Sequence, residues 1–514
     1  MKNTFTQSMA WLHTWGGLIA GWLLFAIFAT GTLAVFDKEI DHWMHPQTPT
    51  RDVTQAAAAQ HALDYLAARE PHASAWNISL PVARSPALEV SAGDRRHGGA
   101  STQLDPVDGQ VIENPESAGG LFFFRFHFTL NLPRNWGIWI VGGLALVMLV
   151  GIVSGVVIHK KIFKEFFTFR PAKGQRSWLD LHNASAVLLL PFHVMITYTG
   201  LVIFMLIYMP AAVDTLFKGD NQAYFQAMGN ERVERPRALL KQPAALVDVV
   251  PLLAQAQARM GEVGGLAVRN PGTAAAVVEI RPTLGNRIAL SKGQAMVFDG
   301  VTGQLLRDVP VPRPSVLTQK VMAGLHFAQF GGYPMRWMYF LCGVVSTLMI
   351  ASGLVLFCVK RRRKYATASP AALRGYRLAE ALNLGFVGGL PLACIGLLWA
   401  NRLIPVDVAQ RSQWEVRAFF AIWLASMLHA SLRAPLRAWQ EQLGLAAALC
   451  IGLPLLGGLT GERDLTRTLL EASAVVLGLL LAKAASGIGA KLSGPLPSER
   501  RSAARPGNAP QGAE

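Results

Sequence analysis

Cysteine and charge are both scarce in this chain of 514 residues. Only 16% of the residues are charged and 52% are apolar, which is not the surface balance of a soluble protein. The four cysteines lie in or beside apolar runs, so neither a disulfide framework nor a cysteine metal site is indicated. No Gly-x-Gly-x-x-Gly opens a helix after a predicted strand, so the chain has no dinucleotide-binding fingerprint of its own.

Long apolar runs are what the chain has instead, and a helix of roughly 20 apolar residues crosses a bilayer. The first run has no small-residue cleavage site before Phe36, so we expect it to remain as a signal anchor. The sequence predicts an all-α polytopic bundle of about eight membrane helices. The predicted spans are 15–36, 136–158, 181–208, 337–359, 382–403, 416–432, 443–459 and 469–485.

The formal net charge of +16 does not indicate a nucleic-acid partner, because the basic residues cluster beyond alternate spans, at 160–176 and 360–364. This is the positive-inside pattern of cytoplasmic loops, and membrane lipid is the partner that it implies. The pattern predicts a cytoplasmic N-terminus and places residues 37–135 and 209–335 on the opposite side.

The first 360 residues contain a repeat. His13 precedes the pair Thr30-Gly31 by 17 residues, and His182 precedes Thr199-Gly200 by the same number. In the same way His127 precedes Ser154-Gly155 by 27 residues and His326 precedes Ser352-Gly353 by 26. We therefore predict a duplicated core in which each half is helix, external domain, helix.

The two external domains resemble each other as well. Each has an Asp-x-x-x-Gly turn between short alternating segments, at Asp105–Gly109 and Asp299–Gly303, which suits a tight hairpin. Each is predicted to open with a helix, at 53–69 and 243–260, so both are expected to be small α+β modules. The predicted organisation is 1–36 first span, 37–135 external domain, 136–158 second span, 159–180 basic loop, 181–208 third span, 209–335 external domain, 336–359 fourth span, 360–381 cytoplasmic loop, 382–490 C-terminal membrane region of about four helices and 491–514 disordered tail.

Histidines inside predicted spans are the candidate functional residues, because polar side chains are costly in a membrane and generally mark a functional site. His182 and His193 are 11 residues apart, which on a straight helix puts them within about 20° on one face and about 16 Å apart. One helix would then supply one axial ligand to each of two stacked haems. His13 occupies the place of His182 in the other half, so we expect these two at an inner haem, with His159 as the competing ligand.

The outer haem is left with more than one ligand set. His193 is one candidate, and its partner is expected from another helix or from His127 or His326, which lie in aromatic surroundings. An interfacial aromatic belt explains His127 and His326 equally well. Three arginines at the outer ends of spans are candidate partners of haem propionates or snorkelling residues, Arg125, Arg134 and Arg336. His429 is interpreted as a core or interface residue.

With these residues in view, the chain resembles the PepSY-associated transmembrane proteins, the iron-regulated membrane protein group that includes ferric-siderophore reductases of the bacterial inner membrane. The resemblance covers roughly residues 5–365. It rests on Leu12-His13 with Thr30-Gly31, Asp180-Leu181-His182 with Thr199-Gly200, Leu325-His326 with Ser352-Gly353 and Lys360-Arg361-Arg362, and the two Asp-x-x-x-Gly turns. It implies a four-helix core with two haem b groups and two periplasmic PepSY-like domains. Ser stands for Thr at two of the four Thr-Gly positions, which we expect to be harmless.

The function implied is the transfer of electrons across the inner membrane to a periplasmic ferric siderophore, with release of Fe(II). Because no Cys-x-x-Cys-His is present, both haems would be non-covalent, with a quinol or a cytoplasmic flavoprotein as electron donor. Two other functions are compatible with the sequence. The external domains are also typical of a regulatory or binding protein that restrains a peptidase, and the additional C-terminal helices leave open a siderophore-iron transporter without redox activity.

Overall fold

The computed structural model describes residues 4–93, 101–159, 170, 173–227 and 233–493. Most of the predicted basic loop, at 160–169, 171 and 172, and the tail from 494 onward lie outside the described residues.

Helices make up most of the described chain. In order they are α1 (Phe5–Ala34), α2 (Asp37–Met44), α3 (Gln55–Arg69), α4 (Leu121–Thr129), α5 (Arg134–Ile158), α6 (Gln175–Leu188), α7 (Leu190–Ile203), α8 (Met205–Tyr208), α9 (Ala211–Leu216), α10 (Asn221–Ala227), α11 (Val250–Met260), α12 (Pro314–Phe327), α13 (Gly332–Ala366), α14 (Pro370–Val387), α15 (Gly389–Leu403), α16 (Arg411–Leu432), α17 (Pro435–Thr460) and α18 (Leu465–Ser493). The strands are β1 (Ala75–Ser79), β2 (Leu88–Ala92), β3 (Thr102–Leu104), β4 (Val111–Ile112), β5 (Val263–Arg269), β6 (Val277–Pro282), β7 (Met296–Asp299) and β8 (Leu305–Arg307).

Among the described residues, six helical stretches are long and apolar enough to cross a membrane, and a bent pair, α6 with α7, brings the number to seven. All eight predicted spans coincide with helices, but α16, which contains the sixth predicted span, 416–432, does not pass as a span by composition. Three charged residues in its first two turns reduce its apolar character, namely Arg411, Glu415 and Arg417. The expected number of eight spans is therefore not reached by length and composition alone.

The third predicted span is not one straight helix. The axes of α6 and α7 differ by 66° across the break at Leu189. Pro191 sits in the first turn of α7, where its missing N–H costs nothing but where it cannot continue the helix before it. The prediction that His182 and His193 share one face of a straight helix is thus wrong, because the bend changes the direction of the axis between them.

The core of the bundle is formed by α1, α5, α13 and the bent pair. Helix α1 packs against both α5 and α13, α6 packs against α13, and α7 packs against α5. Close approach depends on small residues: a Cβ on Gly21 of α1 would lie 2.9 Å from Cδ2 of Leu354 of α13. This use of glycine is common where membrane helices pack.

The external segments merge into one antiparallel sheet of eight strands, in the order β4-β3-β2-β1-β5-β6-β7-β8. The two halves join where β1 pairs with β5, with Ile78 opposite Leu266. A Cβ on Gly265 would lie 2.5 Å from the carbonyl oxygen of Ile78, so glycine permits this close pairing. One hydrophobic core contains residues of both halves, such as Leu66 and Leu253. The two predicted α+β modules are therefore two halves of a single layer.

Both predicted Asp-x-x-x-Gly turns close a hairpin with the same bonds. The N–H of Gly109 donates to the carbonyl of Asp105 at 2.9 Å, and the N–H of Gly303 donates to that of Asp299 at 3.0 Å. The φ angles of the two glycines are 73° and 75°, in the region that glycine adopts without strain. The sequence repeat is thus a structural repeat in the external layer.

Arg84 joins the sheet to the helices. Its Nε and Nη2 donate to the two carboxylate oxygens of Glu39 on α2, each at 2.8 Å, and Nη2 also donates to the carbonyl of Val35 at 3.1 Å. Its Nη1 donates to Oε1 of Gln329 in the turn between α12 and α13, at 3.3 Å. One side chain therefore connects the sheet to both halves of the bundle.

The C-terminal helices α14–α18 pack on the side of α1 and α13 and share one apolar core with them. Asn383 of α14 accepts a bond from Nε1 of Trp22 at 2.8 Å and donates to the carbonyl of Leu354 at 2.8 Å. It is 3% exposed, so its amide is satisfied by these partners rather than by water. We call α14–α18 the C-terminal module.

Candidate functional site

Four of the predicted histidines meet as two pairs near opposite ends of the four-helix core. His13 of α1 and His182 of α6 have ring centroids 6.1 Å apart, and we call them the basic-end pair because α13 ends nearby with residues 360–364. His127 of α4 and His326 of α12 have centroids 6.0 Å apart and form the sheet-end pair. The ring planes are 68° apart in the first pair and 34° apart in the second.

Depth follows from the helix geometry. The sheet-end ring of His127 lies against Gly31 of α1, which is 18 residues beyond His13 on the same helix. At 1.5 Å per residue the two levels are about 27 Å apart along α1. This is close to the apolar thickness of a bilayer, about 30 Å, so the pairs lie near its two faces.

Every ring in the two pairs is held at Nδ1 by a backbone carbonyl of a neighbouring helix. The bonds run from His13 to Gly151 at 3.0 Å, from His182 to Met349 at 2.8 Å, from His127 to Ile27 at 2.8 Å and from His326 to Ile196 at 2.9 Å. Because a carbonyl oxygen only accepts, each Nδ1 must carry the proton and each Nε2 must carry the lone pair.

Each of these rings packs against a Thr-Gly or Ser-Gly pair of a neighbouring helix. In all four cases the accepting carbonyl belongs to the residue four positions before the glycine, and the glycine lies against the ring. A Cβ on the glycine would meet the ring at the following distances: Gly31 to Nδ1 of His127 at 2.5 Å, Gly200 to Cε1 of His326 at 2.9 Å, Gly353 to Cε1 of His182 at 3.0 Å and Gly155 to Cε1 of His13 at 3.3 Å. A side chain at Gly31 or Gly200 would therefore displace the ring, and one at Gly353 or Gly155 would crowd it.

The hydroxyl before each glycine donates to the backbone of its own helix. Ser154 and Ser352 donate to the carbonyls that also accept from the rings, Gly151 at 3.0 Å and Met349 at 2.8 Å. Thr30 and Thr199 donate at 2.7 Å to the preceding carbonyls, Ala26 and Met195, and lie 3.3 Å from the carbonyls of Ile27 and Ile196. Serine and threonine therefore differ in the carbonyl that they bind.

The donor set of each pair fits a haem iron. Two imidazoles on opposite sides of one metal, each bonded at about 2 Å, have ring centroids about 6 Å apart. Among the described residues no hydrogen bond reaches the Nε2 of these four histidines, and there is no group of three or more histidine, cysteine or acidic side chains able to hold a metal ion. Structural zinc takes four protein ligands, so two imidazoles suit a metal that brings its own equatorial nitrogens, as haem iron does.

A family model, the PepSY-associated TM region, matches residues 10–360 of the chain. The chain belongs to the PepSY-associated transmembrane family. The match covers both histidine pairs, the four glycines that lie against the rings and the sheet, and it ends before the C-terminal module. Together with the apolar helices it makes the chain a multi-pass membrane protein. No curated protein matches the chain closely enough to be recognised as a relative.

His193 stands apart from both pairs. The hydroxyl of Ser346 donates to the carbonyl of Cys342 at 2.7 Å and lies 2.9 Å from Nε2 of His193. The Nε2 of His193 therefore has a hydrogen-bond partner, unlike the Nε2 of the four paired histidines among the described residues. His193 is 1% exposed and lies seven residues before Gly200, on a level between the pairs. Among the described residues it has no ring contact or hydrogen bond with a second histidine, contrary to the expectation that it shares an iron with one.

The other expected contributors belong to neither histidine pair. His159 follows the last residue of α5 and has no side-chain bond within the described residues, and neither pair includes it. Arg125 and Arg134 are exposed. Arg336 is 4% exposed: its Nη2 donates to the carbonyl of Gln329 at 3.0 Å, while its Nε and Nη1 have no partner among the described residues.

Both repeats are visible in the sequence, but the way in which they interlock is not. His13 lies against Gly155 and His127 against Gly31, so the glycine that each ring contacts is on another helix of the same half. The second half repeats this exchange with His182 and Gly353. The signal was present in the constant spacing of histidine and glycine, but spacing along a helix does not say which helix packs opposite.

Proposed function

We propose that the protein binds one non-covalent haem b at each histidine pair and moves electrons across the bacterial inner membrane to reduce ferric siderophores. The observation that carries this proposal is the common state of the four paired rings, with Nδ1 bonded to a carbonyl and Nε2 without a hydrogen bond from any described residue. A hydrogen bond at the second nitrogen of an imidazole orients the ring and fixes its tautomer in metal sites generally. An iron held by two imidazoles supplies one-electron transfer when haem is bound.

The residues of the chain do the positioning. The carbonyls of Gly151 and Met349 accept hydrogen bonds of 3.0 and 2.8 Å from the rings of the basic-end pair. The glycines that face these rings have no side chain to fill the space beside them. Arg336 contributes a buried guanidinium at the sheet end, two of whose nitrogens have no partner in the described part of the chain, which suits a carboxylate such as a propionate.

Sidedness follows from charge. The basic residues at the end of α13 and in the segment 160–176 favour the cytoplasm, so the sheet lies in the periplasm in this proposal. Electrons then enter at the basic-end pair from a quinol or a cytoplasmic flavoprotein. They leave near the sheet, where a ferric siderophore docks. Oxygen-rich siderophores hold Fe(III) far better than Fe(II), so one added electron per iron releases the metal without an acid or base from the protein.

The first experiment is a dithionite-reduced minus oxidised spectrum of the detergent-purified full chain, with haem extracted and counted per polypeptide. The expected result is a b-type band and two haems per chain. Protein that stays colourless from haem-sufficient cells would contradict the proposal and favour a peptidase-regulating function. Uptake of iron chelate by vesicles without any reductant would favour a transporter instead. A second assay follows oxidation of the dithionite-reduced protein on addition of a ferric siderophore, and no oxidation would remove the siderophore as substrate.

A further inference from the structure

The C-terminal module lies outside the family region, yet it reaches the helix that carries one sheet-end histidine. Helix α4 has nine residues, too few to be stable without tertiary contacts. His127 is its seventh residue, so the position of that ring depends on what holds α4. On one side α4 packs against α1 and α2. On the other side it meets α16.

Glu415 of α16 is the polar part of this contact. It is completely buried, and its Oε1 accepts from Nη1 of Arg411 at 2.6 Å and from Nδ2 of Asn401 at 2.9 Å. Its Oε2 accepts from Oγ of Ser117 at 3.0 Å and from the backbone N–H of Ala118 at 2.8 Å. The carboxylate therefore binds the chain just before α4 begins, with bonds that are strengthened by its charge.

Arg411 adds a second bond to the same segment. Its Nη1 donates to the carbonyl of Glu116 at 2.9 Å. Arg411 is 4% exposed, and this ion pair with Glu415 is buried on both sides. Removing one partner of such a pair leaves an uncompensated charge, so the two residues hold their position as a unit.

Phe419 is the apolar part. It is 0% exposed, one turn beyond Glu415, and its ring centroid lies 4.9 Å from that of Phe122 and 5.6 Å from that of Phe126. Trp423 follows after another turn, 6.0 Å from Phe126. Since Phe126 is the residue before His127, one face of α16 contacts α4 from its start to its histidine.

The other sheet-end histidine is held differently. Its helix, α12, is bonded to the external layer: the N–H of Leu290 donates to the carbonyl of Lys320 at 3.0 Å, and Nζ of Lys320 donates to the carbonyl of Lys292 at 2.9 Å. The two halves of the core therefore differ in what supports their outer imidazole. Among the described contacts, the C-terminal module supports the helix of His127 but not that of His326, although it also packs on α13 of the second half.

We infer that Glu415 and Phe419 are positioning residues for His127, and that the C-terminal module serves to set the geometry and the reduction potential of the sheet-end centre. The inference rests on the proposed function. It gives a task to the part of the chain that the family region does not contain. It also predicts that substitutions in α16 change the reduction potential of the sheet-end centre and leave that of the basic-end centre unchanged.

The test is a potentiometric titration of the full-length purified protein, in which each of the two centres is assigned by its loss in His127→Ala or His13→Ala. In Glu415→Ala and Phe419→Ala we expect the sheet-end centre to change its ratio of reduced to oxidised form about tenfold at fixed potential, which is about 59 mV for one electron. Glu415→Gln, which keeps the oxygen acceptor, is expected to shift it less and in the same direction. The basic-end centre in the same sample reports that the protein is folded.

The matched control is Glu441→Gln. Glu441 also pairs with an arginine of the C-terminal module, Arg433 at 2.7 Å, but near the end of α16 remote from α4. It is expected to leave both potentials unchanged. Hydrogen exchange of the peptide 117–130 gives a readout independent of haem and should accelerate in Glu415→Ala and Phe419→Ala but not in Glu441→Gln.

Unchanged potentials and unchanged exchange in both alanine variants would overturn the inference while leaving the proposed function intact. Equal shifts of both centres would overturn it as well, because they would indicate a general loss of stability. Wild-type protein without haem would instead remove the proposed function, and this inference with it.

Discussion

Gly31 and His127 are in van der Waals contact across two helices, and the ring takes the place of a side chain. A Cβ on Gly31 would lie 2.5 Å from Nδ1 of His127, closer than real Cβ atoms approach another atom. The same Nδ1 donates to the carbonyl of Ile27, one turn earlier on α1. Ring, glycine and carbonyl thus form one unit, and it occurs four times.

Gly31→Ala should displace the ring of His127 and abolish haem binding at the sheet end. We expect haem content to fall from two to one per chain, measured by haem extraction and by the reduced spectrum. The matched control is Gly16→Ala on the same helix, where an added methyl meets nothing within 4 Å and two haems should remain. Two haems with unaltered spectra in Gly31→Ala would argue against the role of this glycine.

Histidine substitutions should separate the two centres. His13→Ala and His127→Ala are each expected to leave one haem per chain, because each removes one imidazole of a different pair. His193→Asn should retain both, since its Nε2 is bonded to Ser346 and not directed to a second imidazole. The measurement is haem per polypeptide. Loss of a haem in His193→Asn would indicate that His193 is a haem ligand.

Arg84→Met should loosen the sheet from the helices. Glu39 is 5% exposed and would be left as an unpaired buried carboxylate, which costs about 3–5 kcal/mol. The free energy of opening can be measured by hydrogen exchange of β2. Arg259→Met is the control, because Arg259 and Asp308 form an exposed pair worth about 0–1 kcal/mol. A double variant, Arg84→Met with Glu39→Gln, should lose less than Arg84→Met alone, and an equal loss would contradict this account.

The hairpin of β7 and β8 should weaken in acid. Burial tends to raise the pKa of Asp299, but hydrogen bonds from the N–H groups of Thr302 and Val301 and the charge of Arg235 outweigh it, so its pKa lies below the ordinary value. A depressed pKa adds stability above the unfolded pKa, about 3.9, and that stability is lost as the pH falls through the folded pKa. The protection of peptide 296–307 against hydrogen exchange, relative to the intrinsic exchange rate at each pH, should therefore fall below about pH 4. In Asp299→Asn the protection should be lower at neutral pH and should depend less on pH. An unchanged pH dependence of the protection would refute the role given to Asp299.

Much of the fold was predictable because its signals are local. The Asp-x-x-x-Gly pattern predicted both hairpins, since Asp105 and Gly109 form their turn with each other. Apolar length predicted where the membrane helices lie. The bend before α7 was missed even though Pro191 was visible, because proline permits a break without dictating its angle.

The pairing of histidines was predictable only in part. His13 and His182 were expected together from the repeat, and the structure places their rings 6.1 Å apart. His127 and His326 were recognised as equivalent positions but weighed equally as an aromatic belt. Their meeting depends on α4 and α12 folding back onto α1 and α7, which is a tertiary event with no local signature.

The amino-acid sequence alone determined the membrane class, the duplication, the turns and the four histidine–glycine spacings, because each depends on residues within a few turns of one another or on bulk apolar length. Only the tertiary structure decided that two external segments form one sheet, that each ring lies against a glycine of another helix, and that Glu415 reaches the start of α4. Those contacts join residues up to 298 positions apart. Such contacts depend on how whole helices pack, and no local pattern encodes that.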